Sequence, residues 1–562
     1  MTDTPLLLDR LYEHEAAHPA QVYLTQPQGG GVSIDYSWAE VVDQARRMAA
    51  HLKSYSFAPG ARIAMLAKNS AHFFIAEFAI WMAGGTTVAI FPTETAANVR
   101  YVLEHSEASL LFIGKLDTWE QQRDAVPASL PCIALPLAPA LACPQWSDIV
   151  ARTGPLTEPL LGRPRRAGSD IAMLLYTSGS TGVPKGVMHS FDSASYAVEG
   201  ILRHRTVADP EGLSRVLSYL PLAHAYERAC VLCLSLAHGN TRIYFTESLA
   251  TFMDDLKRAR PTSFVSVPRL WAKFRQAVLA GMPAAQLNAL LDDPASAGAV
   301  GKKVLASLGL DEVLQANSGS APITEELMTW YRRLGLNLLE GYAMTEDFCY
   351  SHRSTPEARA LGHVGIPYPE VQARIADDGE ILVKSPASMV GYYKQPELNA
   401  ESFSADGFFH TGDLGHYNAD GLLKVTGRKK ELFKTGKGKY VAPAPIENRL
   451  NAHAMVEQAM VSGVGRSEPY ALVMLSEVLR PQQGDAAVRQ RVDAALTALL
   501  HDVNEAVASH ERLRMLVVAR EPWSTDNGCL TPTLKIKRSR IEAAAAPQLD
   551  AWYAQGAAVV WA

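Results

Sequence analysis

Cysteine is scarce in this chain: 562 residues carry six, at Cys132, Cys143, Cys230, Cys233, Cys349 and Cys529. Positions so scattered exclude a disulfide framework. Cys230 and Cys233 form a C-x-x-C, but no second pair follows, and His224 and His238 lack the spacing of a zinc site. A buried helix face is expected there, and a reducing cytoplasm fits. Long uncharged apolar runs are lacking too. The longest apolar stretch, His72 to Phe91, is broken by Glu77 and by Gly84-Gly85. It reads as a helix, a turn and a strand over Thr86–Phe91, not as a membrane span. The first residues, Met1-Thr2-Asp3-Thr4-Pro5, have no basic start and place an acid and a proline before the leucines, so a signal peptide is not expected. Excess positive charge is also missing. A net charge of −5 argues against non-specific nucleic-acid binding. Composition leaves peripheral membrane contact and a homodimer open.

What is present describes an ordinary globular protein, 48% hydrophobic and 20% charged. The length exceeds what one core serves, so two or more domains are expected. Through the first two-thirds, apolar strand-like runs such as Ala61–Leu66, Leu110–Ile113 and Phe264–Val267 alternate with helical patterns. Trp38 to Leu52 is one of these, with Ser37 placed as its cap. Such alternation predicts an α/β fold with parallel sheets. The segment Cys132–Asp170, rich in proline, reads as a surface connection. After residue 360 the texture turns to hairpins: Val371–Ile375 and Glu380–Val383 flank Asp378-Gly379, and Asp420-Gly421 precedes Leu422–Val425. A boundary is placed after Gly427, dividing the chain into 1–427 and a smaller domain, 428–562.

The richest stretch is Thr177-Ser178-Gly179-Ser180-Thr181-Gly182-Val183-Pro184-Lys185-Gly186. It follows the apolar run Ile171–Leu175. Four hydroxyls, three glycines and a lysine suit a loop that wraps an anion. Glycine lets backbone N–H groups turn toward phosphate oxygens, hydroxyls add donors, and Lys185 adds a point charge. Pro184 stands where a Walker A loop needs glycine, which excludes that motif.

This stretch resembles the phosphate signature TSGSTGxPKG of the adenylate-forming superfamily, which includes acyl- and aryl-CoA synthetases, peptide-synthetase adenylation domains and firefly luciferase. Other runs match in the family's order. Glu340-Gly341-Tyr342-Ala343-Met344-Thr345-Glu346 is similar to EGYGxTE. The resemblance implies that Tyr342 lies against adenine, Thr345 contacts phosphate and Glu346 helps hold Mg²⁺, an ion that prefers oxygen ligands. Ala343 replaces the usual glycine beside the carboxylate substrate. Gly319-Ser320-Ala321 resembles the turn at the purine. In Ser218–Arg228, His224 takes the place of the residue next to the carboxylate, and the trailing Glu227-Arg228 resembles the long-chain fatty acyl-CoA synthetase branch. His410-Thr411-Gly412-Asp413 implies a ribose acceptor at Asp413. In Gly427–Glu431, Arg428 implies a ribose or phosphate contact and Lys430 the hinge. Lys434–Pro443 resembles the branch's KTSGGKYVAP, so Gly436, Lys437, Gly438 and Lys439 would line a coenzyme A tunnel. Leu530–Arg538 places Lys535 as the catalytic lysine, with Lys537 as the competing candidate.

The resemblance covers most of the chain. It implies a large N-terminal domain of parallel-type sheets flanked by helices plus a β-subdomain, and a small mobile α+β cap. The implied activity is a fatty acid–CoA ligase, AMP-forming. A medium- or long-chain fatty acid attacks the α-phosphate of ATP with Mg²⁺, and coenzyme A then takes the acyl group from the adenylate. The alternatives are a ligase that uses another carboxylic acid or a carrier-protein acceptor and, from another class, a non-catalytic nucleotide sensor. Intact Lys535, Glu346 and Lys185 argue against the sensor.

Overall fold

Strands Arg62–Leu66, Thr86–Ile90 and Leu110–Ile113 are almost wholly apolar and almost wholly buried, as strands covered by helices on both faces must be. In the computed structural model, which describes residues 4–159, 161–178, 183–207, 212–531 and 533–562, they sit inside a seven-stranded sheet. Its order is Gly391–Tyr392, Pro184–Ser190, Ile171–Ser178, Thr86–Ile90, Arg62–Leu66, Leu110–Ile113 and Cys132–Ala134. The last five run parallel, and the first two are antiparallel additions. The fold is α/β, with mixed sheets, a large N-terminal part and a smaller C-terminal one.

Helix Trp38–Ser54 starts where Ser37 predicts: its side chain accepts from Glu40 N, and Glu40 returns a bond to the Ser37 backbone. Helix Ala71–Met82 is buried all round, and Glu77 within it is neutralised by an ion pair with Arg228, both side chains fully buried. The segment Cys132–Asp170 is more than a surface connection. Cys132–Ala134 forms the edge of the main sheet, and helix Trp146–Arg152 buries Trp146 and Ile149 in the main core. Sparse apolar residues among prolines hid both. The C-x-x-C lies in a wide π-turn, Arg228–Cys233, with Cys233 buried.

A second sheet aligns Ser263–Ser266, Gln315–Ser318 and Leu338–Tyr342 in parallel over its own apolar core. An antiparallel sheet of Gln372–Ile375, Glu380–Lys384, Phe409–Tyr417 and Leu423–Arg428 follows. The turn Lys429–Glu431 then leads to a sheet of Val456–Ser462, Tyr470–Leu475, Leu516–Val518 and Val559–Trp561. That sheet is buried on both faces. Ala471, Val473 and Leu475 enter one core, while Tyr470, Leu472 and Met474 enter the other.

Candidate active site

The ends of these sheets open on one cleft of about 2660 Å³, lined from both the N-terminal and the C-terminal parts. Strands Ile171–Ser178 and Pro184–Ser190 form a hairpin whose register puts Thr177 opposite Lys185 and Ser178 opposite Pro184. The phosphate-loop residues Gly179, Ser180, Thr181 and Gly182 lie outside the described residues. Thr177 and Lys185 line the cleft. Lys185 Nζ sits 5.2 Å from the centre of the Tyr392 ring, and the Tyr392 hydroxyl donates to Glu346 Oε1 over 2.7 Å. Burial, then repulsion by Lys430, lowers the Lys185 pKa, and Glu346 opposes the shift. Sequence reasoning missed Tyr392. It arrives through the edge strand Gly391–Tyr392, a pairing that no local pattern announces.

Tyr342 ends its strand at the cleft, and its hydroxyl donates to Asp413 Oδ2 over 2.9 Å. Arg428, paired with Asp413 across the antiparallel ladder, donates from Nε to Oδ1 over 2.8 Å. Asp413 is buried, preceded by Gly412 at φ +71°. Gly319, Ser320 and Ala321 follow strand Gln315–Ser318 along the same wall. Gly319 N donates to Ser266 O, and a Cβ at Gly319 would stand 3.3 Å from the Tyr226 ring. The neighbouring Glu340 accepts from Ile323 N over 3.2 Å, and burial pushes its pKa up to about 8.

His224 caps the short helix Ala225–Glu227: Tyr226 N donates to its Nδ1 over 3.1 Å, which leaves the ring hydrogen on Nε2. Burial, helped by the charge of Lys535, depresses its pKa to about 3. The ring is therefore a neutral donor. Thr345 and Glu346 follow Ala343 and Met344 into the cleft, with the Thr345 carbonyl held by His189 Nε2 at 2.7 Å. Glu227 and Arg228 have a different task. Glu227 accepts from Ser218 Oγ at 2.7 Å and Tyr219 N at 3.1 Å, while Arg228 donates to Leu222 O and pairs with Glu77. They brace the turn that carries His224.

Lys535 lines the cleft with its side chain open to solvent. Burial, then the charge of Arg428, lowers its pKa, while Asp413 and Glu431 oppose the shift. The two candidate lysines separate here: Lys535 acts on His224, whereas Lys537 faces Glu94, whose pKa burial raises against the opposing bond from Asn98 and the charge of Lys537. Leu534 has φ +60°, the left-handed conformation that glycine adopts without strain. Lys430 lines the cleft within the turn Lys429–Glu431. Gly436, Lys437, Gly438 and Lys439 do not line it; they form the exposed turn joining Phe433–Lys434 to Tyr440–Val441.

The cleft suits Mg²⁺. Glu346 Oε1 is held by Tyr392, and among the described residues its second oxygen has no hydrogen-bond partner. Among the described residues no cluster of three or more metal-binding side chains exists. One carboxylate near the Lys185 ammonium fits an ion held chiefly by substrate oxygens. The lining also includes the apolar side chains Met344, Cys230, Leu234, Ile201 and Tyr368, which belong to or pack against the main core. Among the described residues no helix is long and apolar enough to cross a membrane.

Two family models match the chain: AMP-binding enzyme over residues 11–393, and AMP-binding enzyme C-terminal domain over 432–557. The chain is 32% identical to "Long-chain-fatty-acid--CoA ligase FadD15" of Mycobacterium bovis, across 97% of this chain and 96% of that protein. It is 28% identical to "Long-chain-fatty-acid--CoA ligase 1" of Cavia porcellus, across 92% of this chain and 82% of the other. Among solved structures, the adenylation domain of a carboxylate reductase from Mycobacterium chelonae superposes with TM-score 0.80 at 21% identity, covering 98% and 91% of the two chains. The o-succinylbenzoate CoA synthetase of Bacillus subtilis, solved with its acyl-adenylate, gives 0.73 at 21% identity, covering 95% and 97%. Those two show a shared fold.

Proposed function

This chain belongs to the AMP-binding enzyme family, in its fatty acyl-CoA synthetase branch, and from that premise we propose that it is an AMP-forming fatty acid–CoA ligase. The observation that carries this reading is the convergence of Lys535, His224, Lys185 and Asp413 on one cleft that apolar side chains of the main core also line. In the proposed first step a carboxylate oxygen attacks the α-phosphorus of ATP, and the bond to the bridging oxygen of pyrophosphate breaks. Lys535 donates to the oxygens that gain charge. His224, neutral, donates from Nε2 to the carboxylate or α-phosphate without adding a charge. Tyr342, Asp413 and Arg428 hold the nucleoside, and Thr177, Lys185 and Thr345 hold the phosphates. Glu346 would hold Mg²⁺, which when bound would neutralise phosphate charge. The family's ribose role fits the geometry: each Asp413 oxygen already takes one protein donor and has a lone pair left for a ribose hydroxyl.

In the second step the coenzyme A sulfur attacks the acyl carbon and AMP leaves. The proposed boundary at 427/428 and the hinge at Lys430 belong to this step. The Gly436–Lys439 turn lies outside the cleft, so it serves coenzyme A only after the C-terminal part rotates. The apolar lining residues and the relatives favour a medium- or long-chain fatty acid. The alternative is an adenylate passed to a carrier protein. The test supplies dodecanoate, ATP and Mg²⁺. Without coenzyme A, acyl-adenylate and pyrophosphate should form; with it, dodecanoyl-CoA and AMP. Adenylate that coenzyme A never discharges would transfer the second step to another acceptor.

A further inference from the structure

The C-terminal strand Val456–Ser462 carries a bulge. Val456 pairs with Leu475 and Gln458 with Met474, so Glu457 is an extra residue in the ladder. A bulge re-aims side chains, and here two adjacent ones reach partners in different parts of the chain. The Glu457 carboxylate is 9% exposed and pairs through Oε1 with Arg269, near the start of helix Pro268–Gly281 in the N-terminal part. Its Oε2 lies 2.8 Å from Arg480 Nη1. Gln458 Nε2 donates over 2.8 Å to the carbonyl of Leu534, the left-handed residue immediately before Lys535. Both Arg269 and Gln458 line the cleft. One turn further along the same helix, Lys273 Nζ stands 3.4 Å from Glu477 Oε2.

We infer that Arg269, Glu457 and Gln458 are positioning residues for adenylate formation: Arg269 anchors the bulge to the N-terminal part, and Gln458 fixes the backbone that aims Lys535 into the cleft. The relay contains no catalytic group. Leu534 keeps a φ of +60° with two local bonds, Leu534 N to Thr531 O and Thr531 N to Lys535 O, both 2.8 Å, and Gln458 adds the bond that ties the Leu534 carbonyl to the strand. The Arg269–Glu457 pair gains its strength from being largely desolvated on the Glu457 side. It also joins parts that the second step must separate, so it acts in one half-reaction and not in the other. This rests on the reading of Lys535 as the adenylation donor.

The experiment measures both half-reactions separately on the full chain: pyrophosphate exchange for adenylation, and acyl-CoA formation from supplied dodecanoyl-adenylate. Arg269→Glu and Gln458→Ala should each slow adenylation by about tenfold, the scale of one half-desolvated ion pair or one lost backbone hold, and leave the second step unslowed. That unslowed step also shows that the variants fold. Arg269→Lys should keep most of the adenylation rate. Raising salt from 0.05 to 0.5 M should slow the wild type more than Arg269→Ala, since only the wild type has the Arg269–Glu457 pair to screen. Arg269→Ala and Gln458→Ala combined should cost less than the product of their separate losses, because both act through the placement of Lys535. Equal loss in both half-reactions, no loss in adenylation, or purely multiplicative effects would overturn the inference. Lys535→Ala run alongside separates the two failures. If it adenylates normally, the reading of Lys535 and the relay fall together; if it is slow while Arg269→Glu is not, only the relay falls.

Discussion

Replacing Lys535 by alanine removes the one ammonium that stands close to His224, Asp413 and Arg428 at once. Lys185 stands over the Tyr392 ring and is drawn to Glu346, and Lys537 acts on Glu94, so neither is placed to take over. Losing one preorganised donor to a developing oxyanion costs about 10²–10³ in rate, roughly 2.7–4 kcal/mol. Pyrophosphate exchange should therefore fall by that factor in Lys535→Ala. Thioester formation from supplied dodecanoyl-adenylate should survive, because the α-phosphorus is already substituted. The pH dependence sharpens the test. Lys535 works as the cation, and burial with Arg428 lowers its pKa, so wild-type adenylation should decline as pH rises through a value below that of free lysine. Lys535→Arg should lose that alkaline limb, since a guanidinium stays charged. An equal fall in both half-reactions, or the same damage from Lys537→Ala, would refute the assignment.

Three further outcomes follow from the packing. Asp413→Asn keeps the shape but removes the anionic acceptor of Tyr342 and Arg428, so the KM for ATP should rise by about 10- to 100-fold with the acyl preference unchanged, read by steady-state kinetics. Arg228→Met leaves Glu77 buried without its partner and should cost about 3–5 kcal/mol in denaturant unfolding, while Glu77→Met combined with Arg228→Met should recover most of it. Glu340 is raised from 4.5 to about 8 by burial, so its contribution is present at low pH and lost as pH rises through 8. The Tm of Glu340→Gln should thus gain on the wild type between pH 5 and pH 9, and a constant difference would contradict the buried neutral acid.

Much of the site was legible because its chemistry is written locally. A phosphate loop needs glycines and hydroxyls in consecutive positions, and Asp413, Arg428, Tyr342 and Lys535 each sit in a short run with a recognisable pattern. Ser37 announced its helix for the same reason: the cap and Glu40 are three residues apart. The rest depends on residues far apart in sequence. Tyr392 reaches Glu346 through an edge strand, and Arg269 meets Glu457 across 188 positions. The edge strand Cys132–Ala134 is three residues long, too short to show a period. The pair Glu227-Arg228 carried a branch resemblance in the sequence. In the structure its work is to brace the turn under His224.

The central claim is that this cleft activates fatty acids and hands them to coenzyme A. Each buried methylene is worth about 0.8 kcal/mol, so four more carbons in an apolar tunnel add about 3 kcal/mol of selectivity. The direct test is kcat/KM for coenzyme A-dependent AMP release across acetate, hexanoate, octanoate, dodecanoate, hexadecanoate and benzoate. The account predicts a rise from hexanoate to at least dodecanoate and then a plateau, with Ala343→Gly moving the plateau toward longer or bulkier acids. A profile that peaks at acetate or benzoate would contradict the fatty-acid assignment.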